Sequence, residues 1–189
     1  LFLLRDLPLS AFEVPRRQTV GVLVVLGVLV GMSLASLTQD DGMPLMTIPQ
    51  ALLVGLGLNA LLYGLVHGVL RWWLMRDGRW DGRGPLFNLL LAAGLVPNVL
   101  SALLESLELP AGIAQPLGLV LAVYGLWVVT RAIACAIPDA PPRYSLAGVA
   151  LASVSSVLVL LVVATLATPL LVSQEGTTLG GVPVGQQIF

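Results

Sequence analysis

Five long apolar stretches, separated by short polar segments, make up most of this chain. Each approaches the roughly 20 residues that an α-helix needs to cross about 30 Å of hydrocarbon. The stretches cover residues 19–37, 48–72, 86–107, 117–137 and 146–172. The pattern predicts an all-α integral membrane protein with five transmembrane helices in a membrane domain of residues 19–172.

The segments outside this domain are more polar. Residues 1–18 mix apolar and charged side chains and are predicted to form an interfacial cytoplasmic segment. Residues 173–189 are predicted to form an irregular extracytoplasmic tail unless a partner holds them. Arg16 and Arg17 before the first stretch would also suit a signal peptide. That stretch is longer than the about 7–15 apolar residues of a signal peptide, which favours a retained helix.

The composition supports lipid as the solvent for much of the surface. Hydrophobic residues make up 57% of the 189 positions and charged residues only 10%. The mean hydropathy is +0.97. A soluble protein of this composition would lack the polar side chains to cover its surface.

Arginine is distributed unevenly between the two sets of loops. The positively charged side chains all precede the first stretch or lie in or near the second and fourth loops; they are Arg5, Arg16, Arg17, Arg71, Arg76, Arg79, Arg83, Arg131 and Arg143. The positive-inside rule therefore predicts a cytoplasmic N-terminus and an extracytoplasmic C-terminus. The absence of lysine is typical of a GC-rich bacterial genome. Together with the five predicted helices, it favours a multi-pass protein of the bacterial cytoplasmic (inner) membrane.

Small residues and a proline indicate how the helices pack. Gly27, Gly31 and Ala35 recur every four residues in the first stretch, which allows a second helix backbone to approach closely. The fifth stretch opens with a similar face. Pro97 lies inside the third stretch, where its missing N–H is expected to kink the helix.

Three sequence motifs stand out: the Gly-rich loop at residues 77–87 (DGRWDGRGPLF), the Gly-Leu-Val-Pro sequence at 94–97, and the aromatic fourth stretch with YGLW at 124–127 and TRA at 130–132. Together with the order of the five stretches, they resemble the Yip1 family. The resemblance covers about residues 19–172 and implies a five-helix membrane domain with a cytoplasmic N-terminus. Eukaryotic members are associated with Rab GTPases and vesicle traffic, whereas bacterial members largely lack an assigned function.

A polar stripe is the first candidate functional feature. Asn59, Tyr63 and His67 follow one another at four-residue spacing in the second stretch. One interpretation is a polar relay or ligand-contacting face, since histidine changes charge near neutral pH. The other, which we favour, is hydrogen bonding between helices. A proton path needs a titratable carboxylate at membrane depth, and the sequence offers none there.

Arginine and tryptophan at the predicted cytoplasmic face are the candidate lipid-binding and partner-binding residues. They are Arg71, Trp72, Arg76, Arg79, Arg83, Trp127 and Arg131. Trp127 precedes Arg131 by about one helical turn, a spacing that permits a cation–π contact. Anionic lipid headgroups are equally suitable partners for these side chains.

Two acidic side chains at the far end of the third stretch, and an amide side chain within it, are further candidates. Glu105 and Glu108 lie three residues apart and are interpreted as solvated charges at a helix end, with a cation site as the less favoured alternative. Asn98, beside the proline, is expected to form a hydrogen bond across helices.

The sequence lacks the common motifs of catalysis. It has no P-loop, GxGxxG, Gly-x-Ser-x-Gly or HExxH motif, and its single histidine and single cysteine argue against triads and metal clusters. We therefore expect no enzymatic activity, no catalytic or metal site, no cofactor and no nucleic-acid partner. The favoured hypothesis is a membrane scaffold or adaptor that binds lipids and other membrane proteins, for example as an accessory subunit of a respiratory or photosynthetic complex. The alternative is a small transporter or channel with a polar path along the second helix.

Overall fold

A computed structural model describes residues 8–37, 45–107 and 109–178. All regular elements in these ranges are helical: a short 3-10 helix Leu9–Phe12, then α1 (Arg16–Ala35), α2 (Ile48–Arg76), α3 (Leu86–Ser106), α4 (Ala111–Ala136) and α5 (Pro142–Thr178). Five of these helices are long and apolar enough to cross a membrane. The predicted number and order of the long apolar helices are confirmed for the described residues.

Local sequence signals explain where the helices begin and end. The Gln50 side chain accepts a hydrogen bond from the Thr47 backbone N–H at 3.1 Å, which caps the start of α2. Prolines immediately precede or begin α1, α3, α4 and α5, where their fixed φ suits a first turn. After α2, Gly78 adopts a φ of 66°, a backbone conformation that glycine accepts without steric cost.

Two predicted boundaries are wrong because prolines lie inside helices. α4 begins at Ala111 and contains Pro116, although residue 117 was the expected start. α5 continues to Thr178, so residues 173–178 are helical rather than part of an irregular tail. An internal proline removes one backbone hydrogen bond, and a helix in an apolar medium keeps its remaining bonds because water is not there to replace them.

The described part of the N-terminal segment packs onto α3. Phe12 is only 9% exposed. The side-chain amide of Asn88 donates a hydrogen bond to the Phe12 carbonyl at 3.0 Å, and Thr19 donates to the Asn88 amide oxygen at 2.9 Å. Residues 8–15 therefore form part of the folded domain. Residues 1–7 lie outside the described ranges, and the interfacial position of the segment remains a prediction.

The helices run alternately up and down, which brings the arginine-bearing ends together. α1 packs against α2 and α3, α2 also packs against α5, and α4 packs against α3 and α5. The end of α2 meets the start of α5, and the start of α1 meets the start of α3. We call this the arginine end of the bundle; its compartment remains a prediction.

The buried core lies mainly at the arginine end. It is built from the last turns of α2 and α4, the first turns of α3 and α5, and the loop between α2 and α3. Its largest members include Leu70, Leu74, Trp80, Leu86, Leu89 and Ile133.

Glycines bring α1 and α2 into backbone contact. A Cβ at Gly55 of α2 would overlap the backbone of Gly31 and would lie 2.7 Å from the carbonyl oxygen of Gly27. The close approach expected from the small residues of α1 therefore occurs, with α2 as the partner.

We expect Gly55→Ala to destabilise the fold by about 1–3 kcal/mol, because the added methyl forces the two helix backbones apart. Gly57→Ala is the matched control, since a Cβ at Gly57 meets nothing within 4 Å. Thermal unfolding in detergent measures the difference. Equal melting temperatures for the two variants would contradict the proposed contact.

Candidate functional site

A reciprocal pair of hydrogen bonds joins the end of α2 to the start of α5. The Tyr144 hydroxyl donates to the Trp73 carbonyl at 2.6 Å, and the Trp73 indole N–H donates to the Tyr144 carbonyl at 3.2 Å. The two rings lie 5.2 Å apart. Gly148 makes room for the indole, because a Cβ there would lie 2.6 Å from the ring. This pair fixes the position of the end of α2 relative to the start of α5, and so of the exposed side chains around them.

Arg76 lies across the indole rings of this surface. Its guanidinium carbon is 4.6 Å from the Trp73 ring centre and 5.6 Å from that of Trp72. Its Nε also donates to the Asp77 carboxylate at 3.1 Å. The Arg76 guanidinium beside Asp77 holds the pKa of that carboxyl below its usual range. These contacts hold the Arg76 guanidinium in one orientation, although the side chain remains exposed.

Arg79 connects two loops at the same place. Its guanidinium carbon is 4.4 Å from the centre of the Tyr144 ring, and its Nη1 donates to the Asp139 carbonyl at 2.9 Å. The loop after α2 is thereby attached to the loop before α5. We call this surface the arginine corner; its residues are Trp72, Trp73, Arg76, Asp77, Arg79, Asp139 and Tyr144.

Arg71 and Arg83 lie near the corner without an ionic partner. Both side chains are exposed, and within the described ranges the one ion pair is that between Arg76 and Asp77. The Arg83 backbone N–H donates to the Asp81 carboxylate at 2.9 Å, which shapes the loop and leaves the guanidinium unpaired. The surface therefore carries positive charge that the described residues do not neutralise.

The permitted contact between Trp127 and Arg131 is not formed. Cation–π contacts in the described part of the chain belong to Arg76 and Arg79 instead. Trp127 is 47% exposed on α4, whereas Arg131 is partly buried. Neither residue belongs to the arginine corner.

The three side chains of the predicted polar stripe each contact a different residue of a neighbouring helix. Asn59, which is 5% exposed, donates to the Leu23 carbonyl of α1 at 3.1 Å. Tyr63 faces α3, where its hydroxyl accepts a hydrogen bond from Asn98 at 3.3 Å. The ring of His67 lies edge-on to Phe87, with centres 5.6 Å apart. These contacts suit the helix-bridging interpretation better than a continuous relay.

A cavity of about 360 Å³ lies between α2, α3, α4 and α5. Most of its lining is aliphatic, and Tyr63, Asn98, Ser101 and Ser153 supply the polar groups. Asn98 bridges α3 and α2, as expected, and also donates to the Gly94 carbonyl of its own helix at 2.7 Å. The sequence analysis named Tyr63 and Asn98 but did not place them around one cavity.

A second cavity, of about 150 Å³, lies between α1 and α3 and shares Asn98 and Ser101 with the first. At its outer end the Ser33 hydroxyl donates to the Glu105 carboxylate at 2.6 Å. Glu108, its expected neighbour, lies outside the described residues. Within the described ranges no cluster of three or more acidic, histidine or cysteine residues is suited to hold a metal ion.

The fold is that of a multi-pass helical membrane protein. Comparison of the chain with protein-family models, with curated proteins and with solved structures gives no match. The likeness to the Yip1 family therefore rests on the sequence motifs alone.

We expect Tyr144→Phe to lower the free energy of unfolding by about 0.5–1.5 kcal/mol, the usual contribution of one hydrogen bond. Tyr124→Phe is the matched control, since that hydroxyl is exposed and makes no hydrogen bond to a described residue. Chemical denaturation in micelles, followed by tryptophan fluorescence, measures the loss. An equal effect of the two substitutions would show that the tyrosine–tryptophan pair does not hold α2 to α5.

Proposed function

We propose that this protein is a non-enzymatic membrane scaffold or adaptor, similar to the Yip1 family, that holds another integral membrane protein and anionic lipids. The supporting observation is an exposed face of α2 that winds around the helix by about 40° at each four-residue step. Ala60, Gly64, Gly68 and Trp72 follow one another at four-residue spacing, and all four are exposed. A Cβ at Gly64 or Gly68 would meet nothing within 4 Å.

This face has the features of a helix-docking surface. Small residues let a second helix approach until backbone atoms touch, which is a principal source of association in lipid. The same face ends at Trp72 and Arg76, where an interfacial aromatic and a positive charge define the depth of the helix. An accessory subunit of a larger assembly, for example a respiratory or photosynthetic complex, would use the face in this way.

The arginine corner is the proposed lipid-binding part. Arg76 and Arg79 are held over aromatic rings, and the exposed Arg71 and Arg83 lack a described ionic partner. Guanidinium groups bind phosphate through paired hydrogen bonds, and positive side chains near a membrane surface attract anionic headgroups. In the proposed orientation the N-terminus and this corner face the cytoplasm of a bacterium, and the C-terminus lies outside the cytoplasmic membrane.

A small transporter or channel is a second candidate. The observation that favours it is the pair of cavities that share Asn98 and Ser101. The path would follow α3 rather than α2, because Asn59 and His67 line neither cavity. Solute flux into liposomes containing this protein alone would favour transport, whereas a partner in fixed stoichiometry favours the scaffold.

We expect Gly64→Ile combined with Gly68→Ile to abolish association with the partner while the protein remains folded, because the bulky side chains prevent close helix approach. Gly21→Ile is the control, as Gly21 is an exposed glycine of α1 with nothing within 4 Å of its Cβ position. Native mass spectrometry after gentle detergent extraction measures the stoichiometry. A wild-type protein that is extracted as an isolated chain would reject the scaffold proposal.

We expect Arg71→Gln combined with Arg83→Gln to reduce copurification of anionic phospholipid severalfold, because two unpaired guanidinium groups are lost. Arg16→Gln combined with Arg17→Gln removes the same charge from the start of α1 and serves as the matched control. Lipid extracted from the purified proteins is quantified by mass spectrometry. If both double variants lose lipid equally, the arginine corner does not bind lipid specifically, and only the total positive charge of the protein determines how much lipid copurifies.

A further inference from the structure

The 360 Å³ cavity has the size of a ligand site and lies midway along the membrane domain. Ligand pockets are usually about 300–1,000 Å³ and combine an apolar lining with a few polar groups. Tyr63 and Asn98 are near the middle of α2 and α3, and Ala122 and Ser153 on its rim are exposed partway along α4 and α5. The cavity therefore opens at the side of the bundle, toward the proposed hydrocarbon.

The cavity contains hydrogen-bonding capacity that the described residues do not use. Asn98 donates from its side-chain nitrogen to Gly94 and Tyr63, but no described residue donates to its side-chain oxygen. The Tyr63 hydroxyl accepts from Asn98, and its own proton has no described acceptor. Ser101 makes no side-chain hydrogen bond to a described residue. Ser153, by contrast, donates to the Val149 carbonyl at 2.9 Å.

These groups define the chemistry of a suitable ligand. An acceptor on Asn98, a donor on Tyr63 and a hydroxyl on Ser101 match a group that both donates and accepts, such as an alcohol. Among the described residues no Asp, Glu, Lys, Arg or His lines the cavity, so a charged headgroup would find no described counter-charge there. The remaining lining is mostly aliphatic, including Leu62, Val66, Leu121 and Leu126, and suits a hydrocarbon chain.

We infer that this cavity binds the hydroxyl group of a neutral, long-chain lipid alcohol that enters from the side of the bundle. The hydroxyl lies between Tyr63, Asn98 and Ser101, and the chain lies along the aliphatic walls. Gly94 and Pro97 shape the polar end, because a Cβ at Gly94 would overlap the Tyr63 hydroxyl and Pro97 packs against Gly125. The site is separate from the arginine corner and does not depend on the proposed scaffold function.

The probe is a long-chain primary alcohol with a photoreactive diazirine, added to the full chain in nanodiscs. We expect saturable labelling of peptides from α3 and α4, competition by hexadecanol, and no comparable competition by hexadecane or by ionised hexadecanoate. Tyr63→Phe combined with Ser101→Ala should weaken binding about tenfold, since the two substitutions remove up to two hydrogen bonds of typical strength.

Tyr124→Phe combined with Ser155→Ala is the matched control, because it deletes the same atoms from residues that do not line the cavity. Its labelling should equal that of the wild type. If the double variant does not fold, Ser101→Ala alone is compared with the wild type, and it should still weaken binding. The inference would be overturned by labelling that does not saturate, or by displacement with hexadecane as effective as that with hexadecanol. Strongest displacement by hexadecanoate, or an equal loss of labelling in the cavity and control variants, would also overturn it.

Discussion

Inside hydrocarbon no water competes for a polar group, so each such group finds its partner within the protein or remains costly. The backbone meets this constraint by forming helices. The amide side chains meet it by reaching across helices: Asn59 to the backbone of α1, and Asn88 to both Thr19 and the Phe12 carbonyl. In both cases a polar side chain also fixes the position of one element against another. Side chains left without such a partner are then the informative exceptions.

The bundle combines a buried core with cavities between its helices. At the arginine end, large aliphatic side chains and the Trp73–Tyr144 pair join α2 to α5. Midway along the bundle, a cavity of about 360 Å³ remains between α2, α3, α4 and α5. A rigid end is suited to present charges in fixed positions. An open region at membrane depth is suited to admit a flexible apolar molecule.

Hydropathy and charge were sufficient to predict the five helices and their common arginine end. The spacing of the polar stripe was less reliable, because four residues advance an α-helix by about 400°, or about 40° beyond a full turn. Over two such steps the face rotates by about 80°, so Asn59 points to α1 while His67 meets Phe87 near the start of α3. The pair of Trp73 and Tyr144 is 71 residues apart in sequence, and no local pattern indicates which tryptophan meets which tyrosine.

The geometry of α2 allows two roles to coexist without sharing residues. Leu62, Tyr63 and Val66 face the cavity, whereas Gly64 and Gly68 lie on the exposed side of the same helix. Since consecutive helical residues are about 100° apart, neighbouring positions in sequence can belong to different surfaces. A partner docked on the glycine face would leave the cavity lining untouched. Ligand in the cavity would in turn contact the helix that the partner holds. Coupling between the two sites then depends on movement of α2 as a rigid element, and the backbone contact of Gly55 with Gly31 ties any such movement to α1.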